Sequence, residues 1–313
     1  MFKLLFSILL SFYLCFQISI PVSAEEGGAG HYVPGSAATL VDVAPSQPGW
    51  VIQPLFLYYD AEFDGTKTIS SGGLLSTGLD VSATSFTIGA VYSSETKVMG
   101  ATYSAGLYIP FLWLDVTGTV ENFSRSDSVS GLSDIAIIPA VLVWKSGSWQ
   151  YDIALPIYAP TGDYEAGQLA NLGLNYWTFD PTFGIVYNNP KTGFNVALHA
   201  GVTFNTENSD TDYDSGSVLH AEVSVQQLLP TKVGIFGFGV NAFLYEQITD
   251  DSGAGAVNGG FQGRSLGVGP VLDYIVPTEK NGTFVFELKW LPELDTENRV
   301  EGDYIWFKAA WQF

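Results

Sequence analysis

The stretch DYIWFKAAWQF, residues 303–313, decides the fold, because every second side chain in it is apolar and it ends on an aromatic residue. The apolar set is Ile305, Phe307, Ala309, Trp311 and Phe313. A period of two predicts a β-strand with one apolar face. A terminal aromatic is typical of the interfacial girdle of an outer-membrane barrel. A soluble β-sandwich can also end on such a strand, so the choice depends on the rest of the chain.

The first 24 residues have the three parts of a secretory signal peptide. Lys3 supplies the positive charge, residues 4–20 form the apolar region, and residues 22–24 give a small-residue cleavage site before Glu25. A transmembrane anchor is the alternative, but polar residues interrupt the apolar run, which is close to the minimum spanning length. We predict that residues 1–24 are cleaved. The only cysteine, Cys15, leaves with them, so the mature chain has no disulfide.

The net charge of the chain is −20, with 12 Lys and Arg against 32 Asp and Glu. So acidic a protein offers no cationic surface to neutralise the phosphates of a nucleic acid. Nucleic acid is therefore excluded as a partner.

Alternating segments bounded by turn residues predict twelve strands. Their connections alternate strictly between short and long. The short ones are 94–97, 145–147, 188–193, 230–232 and 277–282. The long ones are 61–80, 121–131, 160–176, 206–216, 248–264 and 292–302. An even number of strands with short turns at one rim and long loops at the other is the plan of a bacterial outer-membrane barrel.

Charge is distributed in the same way as connection length. The long connections hold seventeen Asp and Glu against four Lys and Arg, whereas every short turn contains a lysine. A soluble sandwich gives no reason for its two ends to differ so consistently. We therefore predict an all-β protein, a transmembrane antiparallel up-and-down β-barrel of about twelve strands in the outer membrane of a Gram-negative bacterium, with both termini periplasmic.

The mature chain divides into two parts on this interpretation. Residues 49–313 form the barrel. Residues 25–48 precede the first strand and are too rich in glycine and proline to form one, so they are predicted to be a periplasmic segment or a plug in the lumen. A disordered leader is the alternative.

Assigning alternate residues to opposite faces places a polar row inside the barrel. The predicted residues of the lumen or solute path are His199, His220, Glu222, Asp273, Glu287, Lys289 and Lys308. Twelve strands enclose a lumen between a filled eight-stranded barrel and an open sixteen-stranded pore. The row therefore lines a narrow pore or a ligand channel, or closes the barrel through ion pairs such as Glu287 with Lys308.

Several prolines lie inside predicted strands, although proline cannot donate to a β-ladder. Four of them fall on the consecutive third to sixth strands: Pro110, Pro139, Pro156 and Pro181. A closed barrel has no free edge, so each should mark a bulge, a kink or a break in pairing. We predict a distorted wall there, through which an apolar solute leaves sideways into the membrane. Scattered bulges without function are the alternative.

Asp210, Asp212 and Asp214 occupy alternate positions of a long loop and are the best candidates for a metal site. Three carboxylates of an extended loop can converge on Ca²⁺. The run departs from the helix-loop-helix calcium pattern, because its glycine comes one residue late. The sequence favours loose divalent bridging to lipopolysaccharide or no ion, and the protein is predicted to need no cofactor.

Five motifs, in order along the mature chain, resemble the outer-membrane proteins associated with the meta-pathway of phenol degradation. They are GAGHYVPG at 28–35, GLSD at 131–134, APTGDY at 159–164, NLGLNYW at 171–177 and TDYDSG at 211–216. The resemblance implies a barrel for the passage of aromatic or other hydrophobic compounds. It carries no catalytic or binding residues with it.

Passive uptake of small hydrophobic compounds is therefore the predicted function, and the protein is predicted not to be an enzyme. The alternatives are a closed structural or adhesive barrel and, less favoured, a lipid-modifying enzyme using His220. The predicted partners are outer-membrane lipid and lipopolysaccharide, small hydrophobic solutes, and the barrel-assembly machinery, which would read the C-terminal strand ending at Phe313.

Overall fold

The computed structural model describes residues 25–71, 73–120, 123–257, 262–278 and 282–313. The predicted signal peptide, residues 1–24, lies outside the described residues. None of the described helical residues forms a helix that is long and apolar enough to span a membrane.

Sixteen strand segments follow a single turn of 3-10 helix at Glu26–Gly28. They are β1 Gly49–Ser71, β2 Leu74–Val98, β3 Ala101–Val120, β4 Phe123–Leu132, β5 Ile135–Ser146, β6 Trp149–Ala154, β7 Ile157–Ala159, β8 Thr178–Phe179, β9 Thr182–Asn189, β10 Phe194–Val202, β11 Phe204–Asn205, β12 Val218–Pro230, β13 Ile235–Gln247, β14 Arg264–Thr278, β15 Gly282–Glu297 and β16 Glu301–Gln312.

The segments build twelve antiparallel wall strands, because β4 with β5, β6 with β7, β8 with β9 and β10 with β11 each share one wall strand. The barrel closes where β1 pairs with β16, from Val51 opposite Gln312 to Glu62 opposite Glu301. The prediction of a twelve-stranded up-and-down barrel is confirmed.

The alternation read from the last strand separates the two faces of the wall. Ile305 and Phe307 are 40% and 51% exposed on the outside, whereas Tyr304 and Lys308 are 3% and 0% exposed on the inside. The lipid-facing surface of an outer-membrane barrel is apolar, and aromatic residues border it above and below. The predicted location is therefore confirmed.

Three of the predicted long loops are extended β-hairpins instead. The β1–β2 ladder continues to the pair Ser71 and Leu74, the β3–β4 ladder to Val120 and Phe123, and β15 and β16 are joined by residues 298–300. Beyond the membrane both faces of a hairpin meet water, so the apolar alternation that marks a strand disappears while the backbone hydrogen bonds continue. The remaining long connections, 160–177, 206–217 and 248–263, are the true loops of this end.

Four neighbouring wall strands are interrupted. Their breaks are at 133–134, 155–156, 180–181 and Thr203. Isolated hydrogen bonds bridge the breaks, such as Leu155 N to Ala140 O at 3.1 Å and Asp180 N to Pro156 O at 2.9 Å. The wall is thus closed there by single contacts, whereas β12 to β16 pair along long ladders.

The four prolines predicted to distort the wall all lie at these interruptions. Pro156 and Pro181 separate the two segments of their wall strands. Pro110 lies where the pairing of β3 passes from β4 to β5, and Pro139 lies at the register shift between β3 and β5. The missing proline N–H is a sufficient cause for each loss of pairing.

The first and last described residues lie at opposite ends of the barrel. Phe313 pairs with Trp50 at the end that carries the short turns. Glu25 contacts Gln247, the last residue of β13, at the end that carries the long loops. Residues 25–48 thus turn back into the barrel, a path that no local pattern in the sequence specifies. The periplasmic position of both termini stays a prediction.

Candidate functional site

Residues 25–48 form an N-terminal segment that runs through the lumen from one end to the other. At the short-turn end, Gln150 Nε2 donates a hydrogen bond of 2.9 Å to Ala44 O. At the long-loop end, Glu25 N donates one of 3.2 Å to Gln247 Oε1. The segment therefore occupies part of the interior, for which the sequence left a narrow pore, a ligand channel and closure by ion pairs open.

Glu222, on the inner face of β12, binds the middle of the N-terminal segment. Its Oε1 accepts hydrogen bonds from Tyr32 Oη at 2.8 Å, Gly35 N at 2.9 Å and Ala37 N at 3.1 Å. Backbone N–H groups with no secondary structure of their own are satisfied in this way. One buried carboxylate thus accepts hydrogen bonds from N–H groups that a β-ladder would otherwise satisfy.

Two lysines on the neighbouring part of the wall, Lys289 on β15 and Lys308 on β16, bind the same stretch. Lys289 Nζ and Lys308 Nζ donate to Gly35 O at 2.8 and 2.6 Å. Lys308 also pairs with Asp42 at 2.7 Å, and Glu287 lies 3.3 Å from Lys289 and 3.7 Å from Lys308. The ion pair between Glu287 and Lys308 raised by the sequence is therefore present, in a cluster with Asp42.

The charges of this cluster are hidden from water. Lys289 and Lys308 are 0% exposed and Glu287 is 1% exposed. Burial opposes the ionisation of Asp42, but the nearby Lys308 and Lys289 outweigh it and hold the pKa of Asp42 below its usual value. Buried ions of this kind are tolerated only when each is paired and hydrogen-bonded.

Gly35 is required where the N-terminal segment passes between these groups. Its φ is +86°, in the left-handed region, and a Cβ there would collide with the side chains of Trp306 and Leu291. Trp306 Nε1 also donates a hydrogen bond of 2.9 Å to Pro34 O. Glycine is the residue that adopts this conformation without strain and allows the close approach.

The long-loop end of the segment carries a buried carboxyl group. Glu25 is 3% exposed, and its Oε2 lies 3.8 Å from Arg299 Nη1. Burial raises the pKa of Glu25 to about 8, although the Arg299 charge acts in the opposite direction. Burial likewise raises the pKa of Asp251, which accepts a hydrogen bond from Gln247, to about 6.

Two histidine–aspartate pairs connect the segment with the interrupted wall. His220 Nε2 lies 2.8 Å from Asp180 Oδ1, beside the break between β8 and β9, and the ring of Tyr32 stacks on His220 with centroids 3.8 Å apart. His31 Nε2 lies 3.0 Å from Asp134 Oδ2, at the break between β4 and β5. The break at 133–134 therefore contacts the N-terminal segment directly, and the break at 180–181 is connected with it through His220.

Asp134 also holds the loop that follows β7. Its carboxylate accepts hydrogen bonds from Thr161 N and Gly162 N at 2.8 Å and from Leu174 N at 2.7 Å. One side chain in the wall break thus fixes both the loop and, through His31, the N-terminal segment.

A cavity of about 550 Å³ lies between the N-terminal segment and the first half of the wall. Its wall side is largely aliphatic, with Leu57, Val81, Leu112, Leu114, Ile138 and Val141 among the lining residues. The lining extends from Arg299 near the long loops to Val51 near the short turns. This volume lies within the range of small-molecule pockets.

The predicted lumen residues fall into two groups. His199 and His220 line the cavity. The other five are inner-face residues that lie away from it: Glu222, Glu287, Lys289 and Lys308 bind the N-terminal segment or one another, and Asp273 accepts a hydrogen bond from Gln226.

Sequence reasoning missed the aspartates that complete the site. Asp42, Asp134, Asp152 and Asp180 each contact the lumen cluster, a wall break or the cavity. Asp180 directly precedes Pro181, which predicted a break in the wall. The carboxylate of Asp180 was not among the predicted site residues. Asp42 has no such signal, because its partner Lys308 is distant in sequence, and the position of Asp152 depends on Gly184 of the neighbouring strand.

The predicted metal site and His220 as a catalytic base receive no geometric support from the described part of the chain. No three His, Cys, Asp or Glu side chains among those residues form a group able to hold a metal ion, and Asp210, Asp212 and Asp214 are no exception. His220 Nδ1 has no hydrogen-bond partner among the same residues. No hydroxyl therefore contacts this nitrogen, as the nucleophile of a hydrolase contacts its general base.

We expect Lys308→Met to loosen the N-terminal segment. The change leaves Asp42 and Glu287 buried with Lys289 as the remaining cation, and breaking a buried ion pair costs about 3–5 kcal/mol. A cysteine placed at buried Ala37 then reports release, because residues 25–313 contain no other cysteine. Its maleimide labelling should accelerate about a hundredfold, the factor that corresponds to about 3 kcal/mol.

Lys191→Met is the matched control, because Lys191 lies in an exposed short turn. The same substitution there should leave the labelling of the Ala37→Cys reporter unchanged. Equal labelling rates in both variants would show that Lys308 does not hold the segment.

Comparisons with known proteins agree with this geometry. The model of the family described as "Putative MetA-pathway of phenol degradation" matches residues 64–309. An outer membrane channel from Pseudomonas putida F1 has a similar fold, with a TM-score of 0.64, 14% sequence identity and coverage of 90% of this chain and 100% of that one. The β domain of the Bordetella autotransporter BrkA follows, with a TM-score of 0.49, 12% identity and coverage of 85% and 100%. Among curated proteins no significant match is found.

Proposed function

Since the chain belongs to the outer-membrane protein family associated with phenol degradation, we propose that it is a channel for the passive uptake of small hydrophobic or aromatic compounds. The observation that carries the proposal is the aliphatic cavity beside the N-terminal segment. The polar half of the lumen holds the segment, and the apolar half remains for the solute.

The size and chemistry of the cavity fit such solutes. A dry apolar cavity of about 150 Å³ is enough to bind benzene. The 550 Å³ available here accommodates a substituted single ring with room to move. Burial of apolar surface gives the solute a favourable free energy, and passage down a concentration gradient needs no coupled energy source.

The exit is proposed to lie in the interrupted wall. Pro110 and Pro156 mark breaks in pairing and also line the cavity, as do Asp134 and Asp180 beside them. A wall closed by single hydrogen bonds opens at lower cost than a continuous ladder. A hydrophobic solute leaving there enters lipid directly, without crossing water.

Uptake of radiolabelled toluene tests the proposal. A Gram-negative host that makes the protein should take up toluene faster than the same host without it. Ala136→Trp, which fills the cavity from the inner face of β5, should reduce the initial rate severalfold because the ring occupies the space of the solute. In planar bilayers, phenol or toluene should change the ionic current of the intact protein and not that of Ala136→Trp.

Ala200→Trp serves as the control, because Ala200 lies on the lipid side of β10 between the exposed residues Leu198 and Phe204. It should leave uptake unchanged. Uptake equal to that of the empty host, or an equal loss in both variants, would contradict the proposal.

One observation favours a second candidate, a closed structural or adhesive barrel. The N-terminal segment fills much of the lumen and is held by buried ion pairs such as that of Lys308 with Asp42. A barrel of that kind would give neither faster uptake nor a current that responds to solute. A non-enzymatic role is proposed in either case, and recognition of Phe313 by the assembly machinery stays a prediction.

A further inference from the structure

A row of inner-face residues crosses the fifth to seventh wall strands near the short turns. Asp152 on β6 is opposite Gly184 on β9, and Gly184 is opposite His199 on β10. Neighbouring strands lie about 4.8 Å apart, so Asp152 and His199 flank the glycine at about 10 Å from each other. Gly184 has no side chain, and the row therefore has a notch at its centre.

The carboxylate of Asp152 leans into this notch. A Cβ added at Gly184 would collide with both carboxylate oxygens. Asp152 is 6% exposed and lines the cavity. Within the described residues it has no hydrogen bond and no ion pair, unlike Asp134, Asp180 and Glu222, which all do. A carboxylate buried without a donor is costly, so the site favours a ligand that supplies one.

His199 provides a second polar group at the same place. It also lines the cavity, and its Nδ1 is buried without a hydrogen-bond partner among the described residues. His220 differs in that its Nε2 lies 2.8 Å from Asp180 Oδ1, although its Nδ1 also lacks a partner among the described residues. Asp152 and His199 thus lie on either side of Gly184, each with a polar group that has no partner among the described residues, in a cavity lined mainly by apolar atoms.

We propose that the notch at Gly184 is the polar end of the solute site and binds the head group of an amphipathic solute. The ligand class is a small apolar body that carries one hydrogen-bond donor, a hydroxyl or amino group, which Asp152 accepts. Carboxylated analogues are excluded by repulsion from Asp152. The inference rests on the proposed function and adds Asp152 and His199 as the residues that determine solute specificity.

Binding of four matched probes to the purified full-length mature protein tests the inference by titration calorimetry in detergent. The probes are ethylbenzene, 2-phenylethanol, 2-phenylethylammonium and phenylacetate, which share an apolar body and differ in head group. The parent protein should bind the alcohol and the ammonium probe and reject phenylacetate. In Asp152→Leu the affinity for both should fall at least about tenfold, the usual effect of losing a hydrogen bond to a charged group.

Asp152→Asn separates charge from hydrogen bonding. Its amide oxygen still accepts from the alcohol, so that affinity should be kept within about threefold while the affinity for the ammonium probe falls at least about tenfold. Asp273→Asn removes another buried inner-face carboxylate, which lies away from the cavity lining, and should change neither affinity. Heat-modified gel mobility confirms that each variant is folded.

The outcomes separate the two proposals. One possible result is that the parent binds ethylbenzene while the Asp152 and Asp273 variants change the affinities for the polar probes equally. That result would overturn the specificity site and leave the channel proposal standing. Tight binding of phenylacetate would also overturn it. If the folded parent protein binds none of the four probes, the proposed function fails, and the specificity site fails with it.

Discussion

Removal of residues 25–44 is expected to turn a nearly silent barrel into a conducting pore. These residues fill the polar half of the lumen. Glu222, Lys289 and Lys308 hold them there through seven or more hydrogen bonds and ion pairs. Without them the charged side chains face open space and become hydrated. Twelve strands enclose a lumen wide enough for water, so single-channel conductance should rise about tenfold or more.

A variant of unchanged length provides the control for this experiment. Replacing residues 25–44 by a Gly-Ser sequence removes Tyr32, Gly35 and Asp42 but keeps the tether to β1. It should conduct like the truncated protein, with current noise from the mobile linker. Both proteins must first show the heat-modified gel mobility of a folded barrel. Conductance equal to that of the parent in both folded variants would mean that the segment does not block the lumen.

A disulfide across the interrupted wall is expected to abolish most solute uptake. Leu155 N donates to Ala140 O at 3.1 Å, beside Pro139 and Pro156, so the two residues are neighbours across the fourth and fifth wall strands. Cysteines at these positions lie within the usual Cα separation of a disulfide. If the solute leaves through this part of the wall, toluene uptake should fall about tenfold, which corresponds to about 1.4 kcal/mol of added barrier.

Reduction of the disulfide should restore uptake in the same cells. The matched control pairs Val225→Cys with Val240→Cys, residues that face each other on the outer side of the unbroken β12–β13 ladder. That disulfide should have no effect, because the β12–β13 ladder has no break to close. Undiminished uptake with the Ala140–Leu155 disulfide formed would rule out exit at this place and leave the periplasmic end as the route.

The face of each wall strand could be predicted from the sequence because lipid imposes a simple rule. Every outward position between the rims must be apolar, so Phe307 faces out and Lys308 faces in, and Lys289 follows the same rule. The breaks at Pro156 and Pro181 were predictable for an equally local reason, the missing N–H.

The partners of the inward residues could not be predicted in this way. The N-terminal segment has no periodicity, and its position depends on contacts such as Tyr32 with Glu222, 190 residues apart. Asp42 belongs to no pattern and acquires its role only when Lys308 is brought beside it by barrel closure. Asp152 was overlooked because its significance comes from Gly184 on the neighbouring strand, which leaves room for the Asp152 carboxylate at the cavity.

The N-terminal segment also has a consequence for the order of folding. It is synthesised before any strand, yet Gly35 finds Lys308 only after 273 further residues have been made. Contacts so distant in sequence form late. Docking of the segment needs β12, β15 and β16 in place, because these strands carry Glu222, Lys289 and Lys308. We therefore expect docking to come late in folding and to expel water from around these three side chains.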